Sequence, residues 1–155
     1  MMFGLDNLET LFVVTAFLFQ IVLVVHYSLR KWRFDLAMRY GWIVYALSVP
    51  AAAVSIVLLL GGVVWWLWLG GFLYLIWAAY GYTVDYVKQI EWRVPFRWPV
   101  AGPYLSLYLA TEMFFWWPLW QVHRALWYPQ AALYVLSMVL NLTSHKRREG
   151  RQAPA

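Results

Sequence analysis

The chain has 155 residues, of which 64% are hydrophobic and 12% charged. A soluble domain carries about 25% charged residues, and half that charge cannot solvate a globule of this size, so the composition excludes an ordinary soluble protein. The formal net charge of +5 lies in short clusters between apolar stretches, the pattern of topology signals rather than of nucleic-acid binding. Cysteine is absent, which excludes disulfides, thiolate nucleophiles and iron–sulfur ligation.

A membrane-crossing helix takes about 20 mostly apolar residues, and the chain divides into five such stretches with no room for a separate aqueous domain. The predicted spans cover residues 8–29, 40–60, 63–84, 98–120 and 127–144. Residues 1–145 therefore read as one transmembrane domain and 146–155 as a basic, loose cytoplasmic tail. The N-terminal MMFGLDNLET has no basic residue and no small-residue cleavage site, so the first span reads as retained and not as a secretory signal. Gly61 and Gly62 break an apolar run that is too long for one span and the right length for a tight hairpin. After the third span, Asp85 to Arg97 alternates charged with aromatic or aliphatic side chains and is expected to be a solvated loop lying in the membrane interface. Gln121-Val122-His123-Arg124 forms the last break, and Pro129 is expected in the first turn of the fifth span.

Lysines and arginines set the direction. Arg30, Lys31, Arg33 and Arg39 lie between spans one and two, and Lys88, Arg93 and Arg97 between spans three and four. Lys146, Arg147, Arg148 and Arg151 follow span five, leaving Arg124 alone on the other side. The positive-inside rule then puts the N-terminus outside and the C-terminus in the cytoplasm, as an odd span count requires. The expected location is a bacterial cytoplasmic membrane. Trp32, Tyr40, Trp42, Trp92, Trp98, Trp120, Trp127 and Tyr128 fall where headgroups should lie, so much of the tryptophan content is interfacial anchoring. Trp32-Arg33 and Trp92-Arg93 recur with similar followers, and independent acquisition of such interfacial anchors explains them better than duplication does.

The informative residues are those that cost energy where they sit. Glu112 lies near the middle of span four, where an acidic residue costs roughly 2.5–3.5 kcal/mol to insert. It is expected to be neutral and hydrogen-bonded inward. Tyr104, Tyr108 and Glu112 recur every four residues and share a stripe, bordered by Thr111 and continued outward by Trp116. Gln20 of span one and Tyr134 and Ser137 of span five could each reach a midplane carboxyl, and Asn141 shares their face. Ser48, Ser55 and the alanines between them fit small-residue packing, while Pro50 and Pro118 each free a backbone carbonyl.

Other chemistry finds little support. His26 and His145 on one side raise a haem or metal pair, but no His-x-x-x-His or Glu-x-x-His spacing accompanies them, and no metal site is expected. No phosphate-binding glycine loop, selectivity-filter sequence or convergent Ser-His-Asp set is visible.

Five spans, an outside N-terminus, this length and abundant tryptophan together resemble the tryptophan-rich sensory protein family. The resemblance is one of architecture and implies a porphyrin or lipid-like ligand in a helical cavity. That family has a longer first loop with a Trp-Pro-rich element, whereas the first loop here is the short Arg30 to Arg39 segment, and no residue is carried over.

The sequence thus predicts an all-α bundle of five transmembrane helices. Its leading functional expectation is non-enzymatic: binding of a hydrophobic small molecule at Glu112, Tyr108, Tyr104, Gln20 and Tyr134, or service as an accessory subunit in a homo-oligomer or larger membrane complex. The cofactor, if any, is unknown, the bilayer is the expected surrounding partner, and nucleic acid is not expected. The alternatives are a proton- or cation-coupled transporter or channel using Glu112, and a membrane enzyme acting on a lipid near His26, Asp35 or Asp85.

Overall fold

The computed structural model describes residues 6–90 and 96–149, with side chains through Ser144. The described residues are helical apart from short breaks, and contain no strand. The His145 side chain, Trp92-Arg93 and residues 150–155 lie outside what is described.

Helix α1 (Asn7–Trp32) starts at a reciprocal cap: Asp6 accepts from the Glu9 amide at 2.6 Å, and the Asp6 amide donates to the Glu9 carboxylate at 3.2 Å. This satisfies amides that the first turn would otherwise leave unpaired. The expected second span begins earlier than residue 40 and is broken twice, as α2 (Phe34–Tyr40), α3 (Trp42–Ala46) and α4 (Ser48–Leu60). Pro50 explains the second break, because it has no N–H to offer the Ala46 carbonyl. Side chains serve the neighbouring carbonyls at this break: Ser48 Oγ donates to the Tyr45 carbonyl at 2.6 Å, and the Tyr74 hydroxyl donates to the Val44 carbonyl. Such compensation is required of backbone carbonyls kept from water.

Gly61 and Gly62 make the expected hairpin turn. Gly62 has φ of +70°, a conformation costing other L-residues about 1–2 kcal/mol. A Cβ there would meet nothing within 4 Å. Gly62→Ala should therefore lower the unfolding free energy by about 1 kcal/mol through backbone strain alone, read from the midpoint of an SDS titration.

Helix α5 (Trp65–Tyr82) runs on into a π-helical turn, Thr83–Val87. Asp85 therefore sits in a helical extension and not in the solvated loop expected of it. Helices α6 (Trp98–Val122) and α7 (Arg124–Glu149) are separated by extended backbone at His123. Because α7 starts at Arg124, Pro129 lies beyond its first turn and inside the helix, contrary to expectation.

Four segments are long and apolar enough to cross a membrane: Asn7–Trp32, Phe34–Leu60, Trp65–Val87 and Arg124–Ser144. This is the make-up of a membrane-embedded, multi-pass protein. Helix α6 matches them in length but is richer in Trp, Tyr and Pro, and falls outside this most apolar set. The exterior agrees, since Leu18, Val25, Val49, Leu60, Ile76 and Leu142 are exposed aliphatic side chains that water would not tolerate in such number. Trp32, Tyr40, Trp42, Trp98 and Tyr128 are exposed as well.

Packing closes a ring. Helix α5 lies between α4 and α6, α6 meets α7, and α7 returns to α1, which also touches α4. Rings fill the centre. Phe19 of α1 lies 4.7 Å from Tyr74 and 4.9 Å from Phe115, while Trp77 lies 5.8 Å from Tyr74 and 5.5 Å from Tyr108. Aromatic pairs add about 0.5–1.5 kcal/mol each beyond area burial. Ser48, Ala51, Ala52 and Ser55 are buried, in keeping with their packing role, and α4 meets α5 where Ala51 and Ser55 face Gly71.

Candidate functional site

Helical spacing places Tyr108 and Glu112 on the buried face of α6, one turn apart. Glu112 is 2% exposed. Its polar neighbours are the Tyr108 hydroxyl and the Gln20 side chain, reached across the α1–α6 contact. Neither is aligned into a formed hydrogen bond. Both carboxyl oxygens of Glu112, the Tyr108 hydroxyl and Gln20 Oε1 are buried without a hydrogen-bond partner among the described residues. The sequence-based expectation of an inward hydrogen bond to Glu112 is therefore not met. Polar atoms left in this state cost on the order of 1–3 kcal/mol each, and several of them gather around this one carboxyl.

Gln20 is held from the other side. Its Nε2 donates to Ser137 Oγ at 2.8 Å, and Ser137 Oγ in turn donates to the Tyr134 carbonyl at 2.8 Å. Two turns nearer the α7 start, Gln130 Nε2 donates to the Ala16 carbonyl at 3.2 Å. These two glutamines fasten α1 to α7, as polar side chains do inside bilayers. Ser137→Ala should cost about 0.6 kcal/mol and at most about 1.7, seen as a small drop in SDS-unfolding midpoint.

Of the five residues expected at the site, the structure brings Glu112, Tyr108 and Gln20 together. Tyr104 lies one turn away toward the start of α6, half-buried, with its ring 5.6 Å from Trp77. The Tyr134 ring is turned onto Trp116 at 5.6 Å, though its hydroxyl remains within electrostatic reach of Glu112. Three contributors escaped sequence reasoning. Tyr27 is buried on α1 beside Tyr108 and Tyr104. Trp77 is 1% exposed, with a buried indole nitrogen lacking a hydrogen-bond partner among the described residues. Tyr45 donates to Asp85 at 2.8 Å. Tyr27 alone left a trace, lying seven residues, or two turns, from Gln20 and so on the same face.

A groove of about 230 Å³ is lined by Trp42, Tyr45, Ala78 and Tyr82 and not by Glu112. The polar groups that gather at Glu112 are its own carboxyl, a carboxamide and a phenol. Such a set suits a proton or a small hard cation better than a bulky molecule.

Comparison of the chain with protein-family models, with curated proteins and with solved structures finds no match.

Proposed function

We propose that this is a five-span membrane protein, N-terminus outside and C-terminus in the cytoplasm, that binds a proton at Glu112 and couples that proton to transport across the bilayer. The single observation that carries this reading is the buried, unpartnered carboxyl with a phenol and an amide beside it. Intramembrane ionisable residues are costly and, by default, functional. The near-complete burial of Glu112 favours a small occupant over the hydrophobic ligand that composition alone suggested. The cation distribution supports the orientation, with eleven of the twelve Lys and Arg residues on one side of the spans. Helix α6, with 25 residues, is long enough to be the fifth span.

The orphaned Gln20 Oε1 favours one second reading, in which Glu112 and Gln20 together hold a monovalent metal cation. Liposomes reconstituted with the protein and loaded with a pH-sensitive dye test both. A potential-driven pH change that is lost in Glu112→Gln supports proton coupling. A response that also requires a sodium gradient supports the cation reading. Flux that Glu112→Gln leaves untouched overturns both. A hydrophobic molecule or fixed-stoichiometry subunits retained on gentle extraction would then restore the binding or accessory role.

A further inference from the structure

The second span and the facing side of α5 leave a groove on the outside of the bundle. Its volume is about 230 Å³, with Trp42, Tyr45 and Ser48 on one wall and Leu75, Ala79 and Tyr82 on the other. The hollow exists because small residues meet there, Ala46 and Ser48 on the second span and Ala78 and Ala79 on α5. Trp42 and Tyr82 are its exposed rings, at 50% and 46%. Tyr45 keeps an edge contact with Tyr82 at 6.2 Å, and Tyr82 stacks on Tyr86 at 5.1 Å.

The groove lies toward the end of the bundle that carries the cations. Gly41 keeps helical backbone angles, so α2 and α3 continue in one register. Arg39, Trp42 and Ala46 then follow at three- and four-residue steps and share a stripe. Arg39 is exposed, one turn beyond Trp42, with its guanidinium 5.6 Å over the Tyr40 ring. Arg33 is exposed just before α2, and Arg30 and Lys31 close α1. The acids nearby are Asp35, one turn before Arg39, and Asp85, whose carboxylate accepts from the Tyr45 hydroxyl at 2.8 Å. The four cations, with Lys88 after the π-helical turn, outnumber these two acids.

We propose that this groove binds one anionic phospholipid of the leaflet at the basic end, with an acyl chain in the groove and the phosphate on Arg39. The volume is below the roughly 300–1,000 Å³ of a site for a compact ligand, and an open apolar channel between helices fits a single chain. Tryptophan and tyrosine rings settle at the headgroup level, so Trp42 and Tyr82 set the start of the groove at the depth where acyl chains begin. Basic pockets between helices at this end of a membrane protein take anionic headgroups. The guanidinium offers two parallel N–H groups to phosphate oxygens. A zwitterionic lipid would bring its own cation to the same arginine, so headgroup charge selects the occupant. The groove shares no residue with the Glu112 cluster.

Native mass spectrometry of the purified full-length protein tests the site. Dioleoyl phosphatidylglycerol and dioleoyl phosphatidylcholine are titrated separately, so that the acyl chains are the same and only the headgroup differs. One phosphatidylglycerol should be held about fivefold more tightly than phosphatidylcholine, the worth of one cation near a membrane surface. Arg39→Gln should bring the two lipids level, while Arg124→Gln at the opposite end should preserve the preference. Ala79→Phe, from an exposed position on α5, should fill the groove and abolish retention of phosphatidylglycerol. Should that variant fail to fold, Ala46→Leu from the facing wall must do the same. Equal affinity of the unmodified protein for the two lipids overturns the site. So does a preference that survives Arg39→Gln, or a lipid held unchanged once the groove is filled. Glu112→Gln should bind phosphatidylglycerol as the unmodified protein does, so failure here and failure of the proton reading are told apart.

Discussion

Gly71→Val is expected to abolish the folded bundle. A Cβ at Gly71 would lie 2.5 Å from the Ala51 carbonyl oxygen and closer still to Ser55 Oγ. The Ala51 obstacle is backbone, so no rotamer change relieves it, and α4 and α5 must separate along their shared seam. In a bilayer this seam has no hydrophobic effect to hold it, because lipid is as apolar as the helices, and close approach of small residues supplies the attraction. Overpacking a well-filled core costs about 1–3 kcal/mol, and a β-branched residue against a fixed carbonyl belongs at or above the top of that range. Gly102 is the control, since a Cβ there meets nothing within 4 Å. Gly102→Ala should be neutral or stabilise by up to about 1 kcal/mol through helix propensity. SDS-unfolding midpoints and the monodisperse fraction on size exclusion measure both. An unchanged midpoint for Gly71→Val would mean that α4 and α5 do not meet at this seam.

What the sequence made legible follows from which signals survive in an apolar chain. The Gly61–Gly62 hairpin could be read because span length is set by the bilayer. The Tyr108–Glu112 stripe could be read because four-residue spacing places side chains on one face whatever their neighbours. Gln20 and Ser137 could be matched by depth, and they do meet. The inward faces could not be read in general, because helices that meet lipid on one side and protein on the other are apolar all round. Trp77 therefore looked like any of twelve tryptophans, although it is a central core residue. Tyr45 and Asp85 meet across forty residues of sequence, and neither hydropathy nor periodicity marks such a pair. Asp85 was further disguised by Lys88 and Glu91, whose charges suggested a loop where α5 continues as a π-helical turn. Pro50 and Pro118 were visible as carbonyl-freeing residues, but only the fold shows the consequences. Pro50 breaks the second span, and the Phe114 carbonyl that Pro118 leaves without its helical donor faces Gly70.

Glu112→Gln is expected to separate stability from function in opposite directions. The substitution keeps the shape of the side chain and removes its acid. The new amide carries two N–H donors where Gln20 Oε1 and the Tyr108 hydroxyl both lack a hydrogen-bond partner. A hydrogen bond formed there contributes about 1 kcal/mol, and the cost of ever ionising a buried group disappears. The unfolding midpoint should thus stay level or rise, while potential-driven proton flux falls to the level of protein-free liposomes. A carboxyl retained for helix packing predicts the reverse pattern, in which flux is indifferent to the substitution and stability falls as an evolved contact is lost. Glu112→Leu sharpens the contrast. It leaves the Gln20 and Tyr108 polar atoms unsatisfied and offers no donor, so its midpoint should fall below that of Glu112→Gln by about 1–3 kcal/mol even though leucine is the more apolar residue. That ordering, glutamine above leucine in stability with both inactive, is what a polar pocket evolved around a titrating group produces and a lipid-like core does not.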